Sequence, residues 1–316
     1  MSVLNAPHFH NEEAAYAWVE ARIWGNNPVC PHCGGVERIS KMKGESTRIG
    51  VYKCYQCRKP FTVKVGTIFE SSHVPMRIWL QAIFLMCSSK KGISSNQLHR
   101  TLGVTLKTAW FMSHRIREAM RDGGLTPMGG AGGIVEADET YLWSTEQPKP
   151  RLGRNKNKPV KGGRCGPADK RVIISLVERG GSVRSFHAEH ADKLTVNKIV
   201  AENLDRETLL HTDESRIYGD VTNHVASRET VVHSRGEYAR GDVNTNSVEG
   251  YFSIFKRGMR GTYQYCKEKH LHRYLAEFDF RYNNRVKLGC DDNNRADRAL
   301  KGVVGKRLTY QTTRSQ

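Results

Sequence analysis

Two tight cysteine pairs constrain this chain more than any other feature. Residues 30–57 read CxxC, twenty intervening residues, CxxC, with thiols at Cys30, Cys33, Cys54 and Cys57. A tetrahedral zinc ion takes four soft donors, and each CxxC turn presents two of them from one short loop. With all four positions filled by protein the site is closed, which is the mark of a structural rather than a catalytic zinc. So short a region builds little apolar core, and the metal has to supply much of its folding energy. His32, inside the first turn, reads as a surface residue. The remaining cysteines, Cys87, Cys165, Cys266 and Cys290, are scattered singly, as reduced thiols are and a disulfide framework is not.

Helical patterning surrounds this ribbon. Residues 11–23 form a short amphipathic helix with Asn11 as cap and acids in the first turn. Residues 76–88 (MRIWLQAIFLMCS) are an apolar helix. Behind it, Ser94 or Ser95 caps a helix that stops at Gly103, and Thr105 caps a second one running to about Met120. Two helices joined by a tight Gly-containing turn make a helix-turn-helix. If the second enters a DNA groove, its candidate contacts are Lys107, Thr108, His114, Arg115 and Arg117. Trp110, Phe111 and Ile116 on the same helix read as core. The Gly-rich stretch 122–133 is a natural domain boundary.

Charge favours a polyanionic partner. The 316 residues hold 50 Lys and Arg against 32 Asp and Glu, a net charge of +18, and each neutralised phosphate releases bound counterions. No apolar run is long enough to span a bilayer, so no membrane partner is expected. The first residues carry histidines and acids where a secretory leader needs a basic start and an apolar core. The expected location is therefore the cytoplasm, in association with the nucleoid.

After the linker the pattern becomes α/β. Strands are expected at 133–143, at 171–179 and 182–190 as a hairpin turning at Gly180 and Gly181, at 207–212, and at 230–234. Helices are expected at 194–204, 246–261 and 267–285. Three strands, a helix, a strand, then a strand and helices is the order of an RNase H-like mixed sheet. Between the first two strands lies the densely basic segment 149–171, where Arg154, Lys156 and Lys158 are candidate phosphate contacts.

Acids fall where two-metal phosphoryl chemistry needs them. Such a site wants one carboxylate bridging two ions about 4 Å apart and others holding each ion, and Mg²⁺ or Mn²⁺ accepts such hard oxygen donors. Asp138 lies on the first strand, Asp213 at the end of a later one, and Glu249 in the helix beyond. Lys256, seven residues past Glu249, returns to the same helical face, where it suits a DNA phosphate. Each acid also has a plainer reading. Glu136 shares Asp138's face of the strand and competes for its role. Asp213 caps a turn as strand-end acids often do. Glu249 stands three residues after Asn246, as in a capping box.

The segments VEADETY, HTDES and NTNSVEGYFSIFKRGMRGTYQYCKEKHLHRYLAEFDFRYNNR resemble the signatures of ISXO-like insertion-sequence transposases, zinc-ribbon members of the DDE class. The segments CPHCGG…YKCYQCRKPFTVKVGTIFE and WLQAIFLM…GVTLKTAWFMSHRIREAM are similar to their ribbon and helical module, so the resemblance covers roughly residues 10–287. It implies binding of terminal inverted repeats, magnesium-dependent strand cleavage and joining, an assembly of at least two subunits on double-stranded DNA, and Asp138 and Asp213 as metal ligands. The third ligand is Glu249, or Asn246 in the version of the family that carries Asn. The domain reading is then residues 1–66 as helix plus ribbon, 67–128 as helix-turn-helix module, 129–290 as catalytic domain and 291–316 as a basic tail. A DNA-binding regulator without catalysis, an RNase H-like nuclease and a decayed copy remain as alternatives.

Overall fold

The computed structural model describes residues 3–124, 126–145, 169–237 and 239–309. The chain divides into two compact units, Met1–Asp122 with Asn284–Gln316, and Gly123–Asn283.

The first unit opens with helix α1, Glu12–Ile23, whose Asn11 cap accepts a hydrogen bond from the Ala14 amide at 2.9 Å. Three short antiparallel strands follow: β1 Ile39–Lys41, β2 Tyr52–Cys54 and β3 Pro60–Phe61. Their small core holds Cys30, Cys54 and Phe61, with Trp24, Ile39 and Tyr52 packed against it. Helices α2 (Met76–Ser88), α3 (Ser95–Leu102) and α4 (Leu106–Ala119) come next. Ser94 caps α3 and Thr105 caps α4, each accepting from an amide three residues on. Gly103 closes α3 at φ 65°, a conformation only glycine adopts without cost. Cap residues and a C-terminal glycine are local signals, which is why these bounds agree with the sequence.

The second unit is a five-stranded sheet with helices on both faces. Its strands are β4 Ile134–Ser144, β5 Lys170–Glu178, β6 Val183–Ala188, β7 Leu209–Thr212 and β8 Ser227–Thr230, in spatial order β6-β5-β4-β7-β8. The first three pair antiparallel, while β7 runs parallel to β4 and β8 parallel to β7. This is the RNase H-like sheet. Helix α5, Lys193–Asn203, covers one face, where Val135, Ala137, Ile174 and Leu210 meet Val196 and Val200. A short hairpin, β9 Ala239–Arg240 and β10 Val243–Asn244, leads into helix α6, Asn246–Gly258. Helix α6 and helix α7, Leu271–Asn283, cover the other face. There Leu142, Ile173 and Val177 pack on Val248, Phe252, Phe255 and Leu275.

Three elements depart from the sequence expectation. The last strand lies at Ser227–Thr230, not 230–234, and His233–Arg235 is a 3₁₀ turn. It has only β7 beside it, and an edge strand tolerates polar residues that hydrophobic patterning passes over. Helix α6 ends at Gly258 and loosens into a π-helical turn, Met259–Tyr263. Residues 291–316 do not form a tail throughout. Helix α8, Asp292–Lys301, is capped by Asp291 and belongs to the first unit. Its Arg295 is 7% exposed and donates to the carbonyls of Asn284 and Cys87, so this polar sequence is anchored by a buried arginine.

Candidate metal centres and nucleic-acid surfaces

In the ribbon, the backbone folds each CxxC into a turn: the Gly34 amide donates to Cys30 O, and the Cys54 amide to Lys59 O. The Sγ atoms of Cys30 and Cys57 stand 3.6 Å apart, and those of Cys33 and Cys54 3.7 Å. All four thiol sulfurs lie within 4.8 Å of one another. Four thiolates bound at about 2.3 Å around a tetrahedral centre stand roughly 3.8 Å apart, so the set fits zinc. Among the described residues no other group of three or more Cys, His, Asp or Glu converges so tightly. His32 is exposed.

The carboxylates gather on the α6 face of the larger sheet. Alternation along β4 sends Val135 and Ala137 toward α5, and Glu136 and Asp138 toward α6. Parallel pairing sets Glu136 level with His211, so Asp138 and Asp213 follow two residues on along neighbouring chains. Burial pushes the Asp138 carboxyl up to about 8, and the charges of Glu139, Asp213 and Glu249 push the same way. Among the described residues these acids do not converge as closely as the four thiols do, and their link to Asp138 is through charge.

Each acid is held by its own element. Asp138 Oδ1 accepts from the Glu139 amide at 2.8 Å. Asp213 Oδ1 accepts from the Ser215 amide at 3.0 Å, and the loop around it is pinned by Arg228. That guanidinium donates to Thr212 Oγ1 at 2.9 Å and to the Asp213 carbonyl at 3.1 Å. Glu249 Oε1 accepts from Thr245 Oγ1 at 3.0 Å and stands 3.7 Å from His233 Nε2. Lys256 is half-buried on the same face. Burial lowers its proton affinity first, then the neighbouring Arg260, while Asp138 draws it back up and Lys170 adds to the depression. A cationic group thus lies within electrostatic reach of Asp138.

Glu136, the sequence's competitor to Asp138, is fully buried and committed elsewhere. Its carboxylate accepts from Arg179 and from the first turn of α6. The capping-box reading of Asn246 and Glu249 is also replaced: Thr245 occupies the cap position, and its hydroxyl bonds the Glu249 side chain, not an amide. Sequence gives no sign of Arg179 or Arg228 near this centre, because they reach it from strands distant in sequence, whereas Lys170 falls in the basic segment 149–171.

On the helix-turn-helix, Lys107 is exposed at the start of α4 and Thr108 is half-buried beside its cap. His114, Arg115 and Arg117 are corrected: they are 0%, 5% and 0% exposed. Arg115 donates to the carbonyls of Ile68 and Glu70, and Arg117 to Ser113 Oγ. These side chains tie the helical module together and do not face a groove. Arg154, Lys156 and Lys158 lie outside the described residues.

An RNase H-like sheet with an acidic centre, in a chain that also carries a four-cysteine ribbon, defines the class. Residues 130–283 match the ISXO2-like transposase domain, and residues 10–60 match the transposase zinc-ribbon domain. The chain belongs to the ISXO2-like transposase family. It is 28% identical over 264 residues to an uncharacterised protein in the transposable element ISH50 of Halobacterium salinarum, covering 82% of this chain and 86% of that protein. Among solved structures it is similar to a pre-cleavage Mos1 transpososome, at 12% identity and TM-score 0.27, over 70% of this chain and 73% of that one. It is also similar to the Mos1 mariner paired-end complex with Mn, at 13% and 0.25, over 65% and 76%. A simian T-cell lymphotropic virus intasome chain gives 11% and 0.28, over 58% of this chain and 63% of that one. The fold assignment rests on the strand order, not on these partial overlaps. Among the described residues no helix is long and apolar enough to cross a membrane.

Proposed function

We propose that this protein is the DNA transposase of an insertion sequence: it binds terminal inverted repeats, cleaves the strands with two divalent metals and joins the ends to target DNA. The observation that carries the reading is Asp138, a half-buried carboxyl raised to about 8 first by desolvation and then by the charges of Glu139, Asp213 and Glu249. So many acids around one half-buried group are costly unless cations bind there.

Asp138, Asp213 and Glu249 would hold Mg²⁺ or Mn²⁺, which on binding supplies Lewis acidity and lowers the pKa of water. Glu249 takes the third position over Asn246 because a carboxylate is the stronger hard-oxygen donor of the two, and its charge acts on Asp138. Lys256 positions the phosphate between the carboxylates and the basic side of the site. Lys107 and Thr108, with the basic residues Arg154, Lys156 and Lys158, contact the DNA backbone, in keeping with a net charge of +18. Zinc in the Cys30, Cys33, Cys54 and Cys57 shell holds the ribbon folded. Two ends brought together imply at least a dimer on double-stranded DNA, working at the nucleoid.

The test is incubation of the protein with a labelled duplex carrying the flanking element's end, with Mg²⁺ or Mn²⁺, beside Asp213→Ala. Metal-dependent 3′-end cleavage and joining, absent from the variant, is the expected result. Tight end binding with no cleavage by either protein favours a regulator and overturns the proposal. Cleavage with no joining under the same conditions favours a nuclease.

A further inference from the structure

We infer that Glu136 and Arg179 form an electrostatic clamp that fixes helix α6, and with it Glu249, before any metal arrives. The inference rests on the transposase reading for the role of Glu249, and it concerns positioning residues that touch neither metal nor substrate.

The geometry is specific. Glu136 Oε2 accepts from the amides of Ser247 and Val248 at 2.6 and 3.1 Å. These are among the orphan donors of the first turn of α6, and the Thr245 cap position contributes no side-chain acceptor to them. Glu136 Oε1 accepts from Ser247 Oγ at 2.9 Å and from Arg179 Nε and Nη2 at 3.1 and 2.9 Å. Arg179 then reaches back to the segment entering the helix, donating to the carbonyls of Asp242 at 2.7 Å and Asn244 at 3.3 Å. One strand residue thereby caps a helix distant in sequence, and one arginine ties down the hairpin before it.

Each component is needed by the others. A fully buried carboxylate is costly unless its lone pairs are filled, and here donors fill both oxygens. A negative charge at a helix N-terminus also meets the positive end of the helix dipole. Glu136 stands two residues from Asp138 on the same face of β4, and the amides it holds precede Glu249 by one and two residues. The clamp therefore sets the separation between the strand that carries one ligand and the helix that carries another. Placing ligands in advance of binding lowers the ordering cost of the metal site.

The substitution Glu136→Gln preserves shape and tests the chemistry. An amide offers one acceptor and one donor group, and the Arg179 guanidinium draws the acceptor, so the NH₂ group turns toward the α6 amides and leaves them without a partner. In the full-length zinc-loaded protein without Mg²⁺ or Mn²⁺, hydrogen exchange at the Ser247 and Val248 amides is expected to quicken about five- to tenfold, the size of a lost helix cap. Mn²⁺ binding, read by titration calorimetry, is expected to weaken about 10- to 100-fold. In the double variant E136Q/R179Q the two amides can pair with each other, and both readouts should move back toward wild type. Should E136Q prove unfolded by circular dichroism, R179Q alone keeps the carboxylate and should give the same two changes at smaller amplitude.

Wild-type exchange at these amides in the variants overturns the clamp, as does faster exchange with unchanged Mn²⁺ affinity. Complete loss of Mn²⁺ binding with exchange unaltered makes Glu136 a metal ligand and also overturns it. If wild type binds Mn²⁺ yet never cleaves DNA, the transposase proposal fails while both readouts still decide the clamp.

Discussion

Removing the most central acid should stabilise the protein it disables. In Asp138→Asn the side chain keeps its size, and its Oδ1 still accepts the Glu139 amide now bonded at 2.8 Å. What disappears is a group whose pKa rises from 3.8 to about 8 on folding, first through burial and then through Glu139, Asp213 and Glu249. Such a group binds a proton more tightly folded than unfolded, so wild-type stability falls as pH climbs from about 4 to about 8 and is level above that. Each tenfold change in proton affinity is worth about 1.4 kcal/mol, which sets a ceiling of about 6 kcal/mol at pH 8.5. Relaxation and solvent penetration return part of it, leaving about 2–4 kcal/mol. For a unit the size of Gly123–Asn283 this corresponds to a rise in Tm of about 5–15 °C. At pH 5 the same substitution should gain about 1 kcal/mol or less, because little of the penalty has yet accrued. Differential scanning calorimetry of zinc-loaded protein without added Mg²⁺ or Mn²⁺, at the two pH values, checks this. Added Mn²⁺ should raise the Tm of wild type and leave that of the variant. A variant no more stable than wild type at pH 8.5, or equally stabilised at both pH values, refutes the argument that burial and the neighbouring acids penalise the Asp138 charge in the folded state.

Three further outcomes are expected. Glu249→Gln should lose at least about 100-fold in metal-dependent cleavage in the gel assay, while Asn246→Ala, at an exposed position, stays within a few-fold of wild type; the reverse order moves the third ligand to Asn246. Cys54→Ser should release zinc, measured by elemental analysis, and open residues 30–61 to proteolysis, since a three-ligand ribbon loses most of its folding energy. Lys107→Ala should weaken end binding and reduce the slope of log K against log salt by about 1, whereas Arg117→Ala should lower stability in urea titration by about 2–4 kcal/mol through loss of a fully buried side chain. Equal salt slopes for wild type and Lys107→Ala would take Lys107 off the DNA.

Local chemistry made much of this chain legible. Asn11, Ser94 and Thr105 cap the helices they precede, and Gly103 ends the helix before it, because a cap acts within one turn. The four cysteines come together because two short loops suffice to present them. Strand alternation placed Asp138 and Glu136 on one face but left their roles open, since period two reports direction and not partners. Helical period likewise put Lys107 and Arg117 on one helix without separating surface from interior.

Those choices belong to tertiary structure. Glu136 became a helix cap only when β4 met α6, across more than a hundred residues of chain, and Asp138 came under the charges of Asp213 and Glu249 in the same way. Arg115 and Arg117 were removed from the surface by packing around α4, and Arg295 was drawn inward by carbonyls of Asn284 and Cys87. A buried polar group takes its meaning from whichever donor or acceptor reaches it, and in this protein the decisive partners arrive from other strands and helices.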